Sequence, residues 1–355
     1  MKEQKTTNIL LLLIALPIVF YTLKTLSFIF IPLVLSMFIA LFFLPIMRWM
    51  NKRKVPKTVG IIVIVLLISG ILKIGGELIQ LSTQEILSAD KSLFDNVQNK
   101  LIDLIFSIEQ FFGITSTDGN ILWSYFQKIV PSGSLAPTLD FIGNPLSVTL
   151  MTIFFSVLWL SESLNFHKIL NKTILKQKHT SIKVFRQIEK DLIKFIIVKV
   201  LISIVTGVLF TVACLSFDVS FPVFWGLYAF LVNFIQMVGS FIAAGTVSLF
   251  ALAEMEPSGI LLLFVLTLIA IQGLMGGILE PVFMGKSFSV NVISILIMLM
   301  FWGFIWGIPG MIMSIPITVF LKIILEQFES TKIIAMLLSG SDKKTFRFTK
   351  NESST

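Results

Sequence analysis

Cysteine, histidine and charged residues are all scarce in this chain of 355 residues. A single cysteine, Cys214, leaves no partner for an internal disulfide. The two histidines, His167 and His179, lie in one basic stretch and not at the spacing of a helical metal-ligand pair. No Walker A loop, GxGxxG turn or GxSxG elbow occurs, which argues against ATP-driven transport by this chain alone. No His/Asp or Ser/Lys grouping suggests an intramembrane hydrolase, and neither a metal nor a cofactor is expected. Charged residues make up 14% of the chain, against about 25% in soluble domains, so a soluble globular protein is excluded.

What the chain has instead is apolar surface. It is 55% hydrophobic, with 34 phenylalanines and a mean hydropathy of +0.93. This is an integral membrane protein whose first partner is the lipid bilayer. Its formal charge of +8 reads as the cytoplasmic bias of membrane-protein loops rather than as a nucleic-acid footprint.

Charge along the chain sets the expected topology. Asn8–Leu23 and Ser27–Ile46 are apolar runs with no small-x-small cleavage site between them, so two uncleaved spans joined by a turn at Tyr21–Leu26 are expected. Arg48–Lys57 carries five cations and no acid. Short basic loops stay in the cytoplasm, which places the N-terminus inside and sends Thr58–Ile79 outward. Glu77–Asp140 reverses the balance, with eight acids against three lysines, as expected outside the cytoplasm. Within it Leu93, Phe94, Val97, Leu101, Ile102, Ile105, Phe106, Ile108 and Phe112 recur at helical spacing. That spacing predicts an amphipathic helix on the membrane or on its neighbours. Turns are expected at Ser116–Asn120 and Pro131–Pro137. Phe141–Leu160 returns inward, and Ser161–Lys194, with eight cations against three acids, reads as cytoplasmic. Phe195–Leu215 crosses outward, Gly259–Ile278 inward, and the polar tail Ser339–Thr355 ends inside.

Two further apolar stretches are interrupted. Phe221–Ala253 bends around Asn233–Ser240, and its arms are short for full crossings. Residues 288–325 form an apolar run broken by Gly303, Gly307, Pro309, Gly310 and Pro316. Loop parity makes these hairpins enter from opposite faces, the arrangement that brackets a mid-membrane solute site in many carriers. The expected fold is an all-α polytopic membrane protein of about eight transmembrane helices. It includes two oppositely oriented broken or re-entrant hairpins and an amphipathic outer segment. The expected divisions are three N-terminal spans (1–76), an extracytoplasmic helical segment (77–140), a C-terminal transport core (141–338) and a cytoplasmic tail (339–355).

Polar residues inside apolar runs are the site candidates. Asn233 and Gln236 are amides on one helical face, and an unpaired amide in hydrocarbon is costly, so both are expected at a polar cavity or an interhelical hydrogen bond. Gln272 is a similar case. Lys199 either snorkels to the cytoplasmic interface or is an intramembrane coupling charge. Ser203 and Thr206 continue its face, with back-bonding to their own helix as the plain alternative. Glu280 is a surface carboxylate or the coupling acid nearest both hairpins. Gly239, Gly303, Gly307 and Gly310, with Pro309 and Pro316, read as hinge or packing positions. Trp302 and Trp306 read as an interfacial aromatic belt before a stacking site.

Four segments carry a family resemblance. They are Val198–Gly207 (VKVLISIVTG), Phe230–Ala244 (FLVNFIQMVGSFIAA), Glu280–Lys286 (EPVFMGK) and Phe301–Pro316 (FWGFIWGIPGMIMSIP). In order and spacing they resemble the AI-2E family of bacterial membrane permeases over nearly the whole chain. The resemblance implies an inner-membrane homo-oligomer, pentameric in some members, that carries a small polar solute or ion. Some members export autoinducer-2, and others are described as sodium(lithium)/proton antiporters. A secondary carrier is therefore the leading expectation, with a cation/proton antiporter or a non-transporting scaffold as alternatives. The sequence departs from the family where prolines are common: Gln236, Thr246 and Val292 stand there instead.

Overall fold

The computed structural model describes residues 2–89, 91–111, 145–173, 179–284, 292–326 and 331. The turns expected at Ser116–Asn120 and Pro131–Pro137, the Gly285-Lys286 pair, and the tail Ser339–Thr355 lie outside the described residues. Among the described residues the regular elements are helices: α1 (Lys2–Thr25), α2 (Ser27–Lys52), α3 (Lys57–Leu87), α4 (Lys91–Phe111), α5 (Pro145–Thr173), α6 (His179–Ser216), α7 (Pro222–Val232), α8 (Val238–Glu254) and α9 (Gly259–Gln272). A π-helical segment, Gly273–Leu279, follows α9 and leads into α10 (Glu280–Met284), and α11 is Val292–Glu326. Among the described residues five stretches are long and apolar enough to cross a membrane: Ser27–Lys52, Lys57–Leu87, Glu189–Ser216, Gly259–Met284 and Ile293–Lys322. Leu13–Thr25, Val148–Glu162, Pro222–Val232 and Val238–Glu254 are shorter apolar helices.

The chain forms two compact units. One contains residues 1–69, 148–200 and 281–355. Its core begins with α2, whose buried stripe of Pro32, Ser36, Ala40, Phe43, Leu44, Met47 and Met50 follows the helical period. Ile64, Ile68 and Leu160 pack on that stripe. The turn expected over Tyr21–Leu26 shrinks to Leu26, because the helical hydrogen bonds of α1 run on to it.

Within this unit α11 is broken at Gly307, where φ 64° and ψ −142° are far from helical. A straight helix would separate residues 302 and 310 by about 12 Å. Here a Cβ on Gly310 would lie 2.0 Å from the Trp302 carbonyl oxygen, and one on Gly303 would meet the Met311 side chain. The chain therefore folds back at Gly307, as the glycines and prolines suggested. Trp302 and Trp306 correct an expectation: both are buried, packed with Ile305 and Met313 against α1 and α2 residues. The Trp306 Nε1 donates to the Leu23 carbonyl at 3.0 Å. They are core anchors of this hairpin and not a lipid-facing belt.

The other unit contains residues 70–147 and 201–280. Its core gathers Phe210, Trp225, Ala229, Ala243, Val247, Phe264 and Leu268 from α6 to α9. The helix expected in the acidic segment forms as α4, and it packs against α8. The Lys100 Nζ donates to the Met255 carbonyl at the far end of α8, at 3.3 Å.

Two carboxylates pin the start of α7. Phe221 takes a left-handed conformation and Pro222 opens the helix, leaving backbone N–H groups without helical partners. The Glu85 carboxylate accepts from the Val223 and Phe224 N–H groups at 3.3 and 3.1 Å. Glu254 accepts from the Ser220 backbone N–H at 3.1 Å and from its hydroxyl. Replacing Glu85 with alanine is expected to cost about 1–3 kcal/mol, the penalty for orphaned donors that had a charged acceptor. Thermal unfolding in detergent should register it as a lower midpoint, whereas Glu77→Ala, at an exposed i,i+4 pair with Lys73, should leave the midpoint nearly unchanged.

Candidate functional site

The tip between α7 and α8 positions the polar residues. Van der Waals exclusion decides its shape: a Cβ on Gly239 would lie 2.0 Å from the Val232 carbonyl oxygen, so only glycine lets the two arms close. Backbone bonds from Ile235 N to Val232 O and from Gly239 N to Ile235 O then fix the turn. Met237 is held at φ 61°, a strained conformation for a residue with a side chain.

Closing that turn buries Asn233 to 1% exposure. Its Nδ2 donates to the Ser203 Oγ of α6 at 3.0 Å, and its Oδ1 receives the Ser240 hydroxyl of α8 at 3.5 Å. A buried amide is tolerated when its donor and acceptor are both used, and here three helices are tied by one side chain. Thr206 is buried beside them but returns its hydroxyl to the Ile202 carbonyl at 2.8 Å. The arms are linked again where the Tyr228 hydroxyl donates to Thr246 Oγ1 at 3.2 Å. A hydroxyl at Thr246 thus braces a position where proline is common in the family the sequence resembles.

Beyond Ser240 lies a cavity of about 610 Å³ between α8 and the α9–π segment. Ser240, Ser248 and Gln272 are its polar side chains. Gly245, Gly273, Gly276 and Gly277 supply bare backbone, and Phe241 and Ile269 are among the apolar remainder. Gln272 is 8% exposed, and both its amide nitrogen and its amide oxygen are shielded with no hydrogen-bond partner. Leaving such groups unmade costs about 1–3 kcal/mol each. The Gln236 amide oxygen is also shielded without a partner. The π-segment begins directly after Gln272, and π turns inside helices recur at functional sites.

Of the residues singled out from sequence, Ser203 and Asn233 come together, and Gln272 lines the same cavity as Ser240, which bonds to Asn233. Two expectations change. Lys199 is 3% exposed, so its ammonium is held inside the protein and does not snorkel from the helix. Glu280 is 4% exposed and is not a surface carboxylate. A charge buried in this way is expensive unless it is paired or hydrogen-bonded. Lys199 belongs to the first unit described above, and Glu280 closes the second. Ser240, Ser248 and the π-segment were not anticipated. Their only sequence signals are the four-residue spacing of Ser240, Ala244 and Ser248 and the clustered glycines 273, 276 and 277. Among the described residues no group of three His, Cys, Asp or Glu side chains could hold a metal ion.

Comparison with known proteins agrees with this architecture. Residues 9–330 match the AI-2E family transporter description. A protein of Borreliella burgdorferi named "Putative transport protein" is 30% identical over 59% of this chain and 60% of its own length. A Haemophilus influenzae protein with the same name is 28% identical over 87% of this chain and 89% of its own length. The AI-2 transport protein TqsA of Escherichia coli is 24% identical over 89% of this chain and 91% of its own length. With apolar helices long enough to cross a bilayer and a family match spanning all but the two ends, the chain is a multi-pass membrane protein that belongs to the AI-2E transporter family.

Proposed function

We propose that this chain is a secondary carrier that exports a small polar solute across the bacterial inner membrane. The cavity between α8 and the α9–π segment is its binding site. The observation that carries this reading is Gln272: an amide buried without partners on the wall of a cavity. Such a group is stabilised by a ligand that brings hydrogen bonds with it. Asn233, Ser203 and Ser240 hold the neighbouring wall in place, with Gln236 and Thr206 on the same hairpin and helix. Lys199 and Glu280 are the coupling charges. Gly239, Gly303, Gly307, Pro309, Gly310 and Pro316 are the hinge and packing positions of the two hairpins.

The topology we propose has about eight spanning segments, with both termini cytoplasmic and residues 77–140 outside. The hairpins at 221–253 and 288–325 enter from opposite faces within a transport core of residues 141–338, ahead of a cytoplasmic tail at 339–355. Several copies assemble in the membrane, and solute or ion gradients supply the energy. The Escherichia coli relative is named for AI-2 transport, which makes autoinducer-2-like signals and similar small metabolites the first solutes to try. The cation/proton antiporter is the weaker reading, since none of the side chains lining the cavity is ionisable.

The test is release from proteoliposomes. Vesicles loaded with a mixture of small bacterial metabolites, including autoinducer-2, should release at least one polar solute about tenfold faster than protein-free vesicles. Replacing Gln272 with leucine should remove most of that advantage, as expected when a paired buried amide is deleted. If nothing is released, and no sodium gradient alters internal pH, the carrier reading fails.

A further inference from the structure

We infer that the turn joining α2 to α3 binds an anionic phospholipid by its phosphate headgroup, with the doubly charged diphosphatidylglycerol as the preferred occupant. A site of this kind is independent of what the chain carries. α2 and α3 each provide a stretch long and apolar enough to cross a membrane, so the residues between them stand at the bilayer surface, level with the lipid phosphates. No aspartate or glutamate occurs between Glu3 and Glu77, while Arg48, Lys52, Arg53, Lys54 and Lys57 gather at the turn. Arg48 is spent on Glu189 of α6. Among the described residues the other four cations have no carboxylate partner. Lys52, Arg53 and Lys54 are exposed, and Lys57 is half-buried. Their counter-charge has to come from outside the chain. Polybasic segments beside membrane spans attract anionic lipid, although orienting the hairpin needs only their charge. Two features of the turn go beyond orientation.

The first is that lysine stands where the backbone favours glycine. α2 ends in a Schellman turn: the Val55 N–H donates to the Met50 carbonyl at 3.2 Å, and the Lys54 N–H to the Asn51 carbonyl at 3.0 Å. The residue that closes such a turn is left-handed and usually glycine. Here it is Lys54, at φ 60°. A side chain in that conformation is strained. Orientation does not account for the strain, because the neighbouring cations would orient the hairpin without it. The strained backbone keeps one more ammonium in the turn.

The second is that Arg53 is braced. Its guanidinium carbon lies 5.2 Å from the centre of the Trp49 ring, and Trp49 is 58% exposed, as suits an indole at a membrane interface. A guanidinium held by its face keeps its edge N–H groups for a bidentate phosphate contact. Lys52 and Lys54 flank it in the chain as point charges for a second phosphate. Past the turn Val59, Ile62 and Leu66 are exposed on one face of α3, an apolar track for acyl chains. Inorganic phosphate would use the cations but leave Trp49 and this track uncovered.

The experiment uses delipidated full-length protein in neutral detergent, incubated with an equimolar mixture of diphosphatidylglycerol and phosphatidylcholine. Lipid retained after gel filtration is counted by mass spectrometry. The anionic lipid should be enriched about tenfold or more, and each cation removed from the turn should lower that enrichment about fivefold. Lys52→Gln/Arg53→Gln/Lys54→Gln should therefore remove it. Lys343→Gln/Lys344→Gln/Arg347→Gln, which takes the same charge from the C-terminal tail, should keep it. Lys54→Gly gives a signature of opposite signs: a higher unfolding midpoint in lipid-free detergent, because the strain is relieved, with weaker retention of diphosphatidylglycerol. Equal retention of the two lipids, an equal loss in the tail variant, or undiminished retention in Lys54→Gly overturns the inference. Displacement of the lipid by millimolar inorganic phosphate overturns it too, since the site would then be one for free phosphate.

Discussion

Alanine at Gly239, and separately at Gly310, is expected to destabilise the protein by about 3 kcal/mol, the upper part of the range for overpacking a tight contact, and to abolish solute release. The two glycines do the same job in different units. At each, an added Cβ would stand 2.0 Å from a backbone carbonyl oxygen, Val232 O for Gly239 and Trp302 O for Gly310. Backbone cannot swing aside as a side chain can, so each hairpin must open to admit the methyl group. Opening the first also pulls Asn233 away from Ser240. Opening the second shifts Trp302 and Trp306, and with them the Trp306 hydrogen bond to Leu23. Gly245→Ala is the control: its Cβ meets nothing within 4 Å, and helix propensity alone makes it neutral or slightly stabilising. Thermal unfolding in detergent should separate the pair from the control. A Gly239→Ala protein with wild-type stability would mean that the arms do not close as described.

Asn233→Ala is expected to cost about 1–3 kcal/mol, since it strands the Ser203 and Ser240 hydroxyls in a buried site, and to reduce release at least tenfold. Ser203→Ala removes only one of the two bonds and should cost less. Because both substitutions break the same Asn233–Ser203 bond, their effects should not add. The double variant should be less damaged than the sum by about 0.5–3 kcal/mol, the coupling typical of residues in direct contact. Thr206→Val provides the contrast. Its hydroxyl bonds only to the Ile202 carbonyl of its own helix, so it should be nearly additive with Asn233→Ala. Full additivity between Asn233 and Ser203 would show that the hydrogen bond contributes nothing to the fold.

The class of this protein was open to reading from its residues. Apolar length and the scarcity of charge required membrane helices. The glycines and prolines at 303–316 announced the fold-back that the structure places at Gly307. The recurrence of apolar residues from Leu93 onward announced α4. The four quoted segments pointed to the family that the comparison with known proteins shows. These features are local or compositional: they depend on what a few consecutive residues can do in lipid and need no knowledge of their neighbours.

Partnership was decided only in three dimensions. Asn233, Gln236 and Gln272 look alike in sequence, each an amide in an apolar run. Asn233 is satisfied because Gly239 lets α8 approach close enough for Ser240 to reach it, while both polar ends of Gln272 are left unpaired on a cavity wall. Lys199 and Glu280 were ambiguous between interface and interior, since helical periodicity gives the direction of a side chain but not whether protein or solvent waits there. Trp302 and Trp306 were misread for the same reason. Their spacing fits an interfacial belt, and only the fold-back of α11 onto itself, with α1 and α2 packed against it, makes them core. Hydropathy and charge therefore determined that this chain is an all-helical, multi-pass membrane protein. Which polar groups find partners within the fold was decided by tertiary approach, as where the close packing at Gly239 brings Ser240 to Asn233.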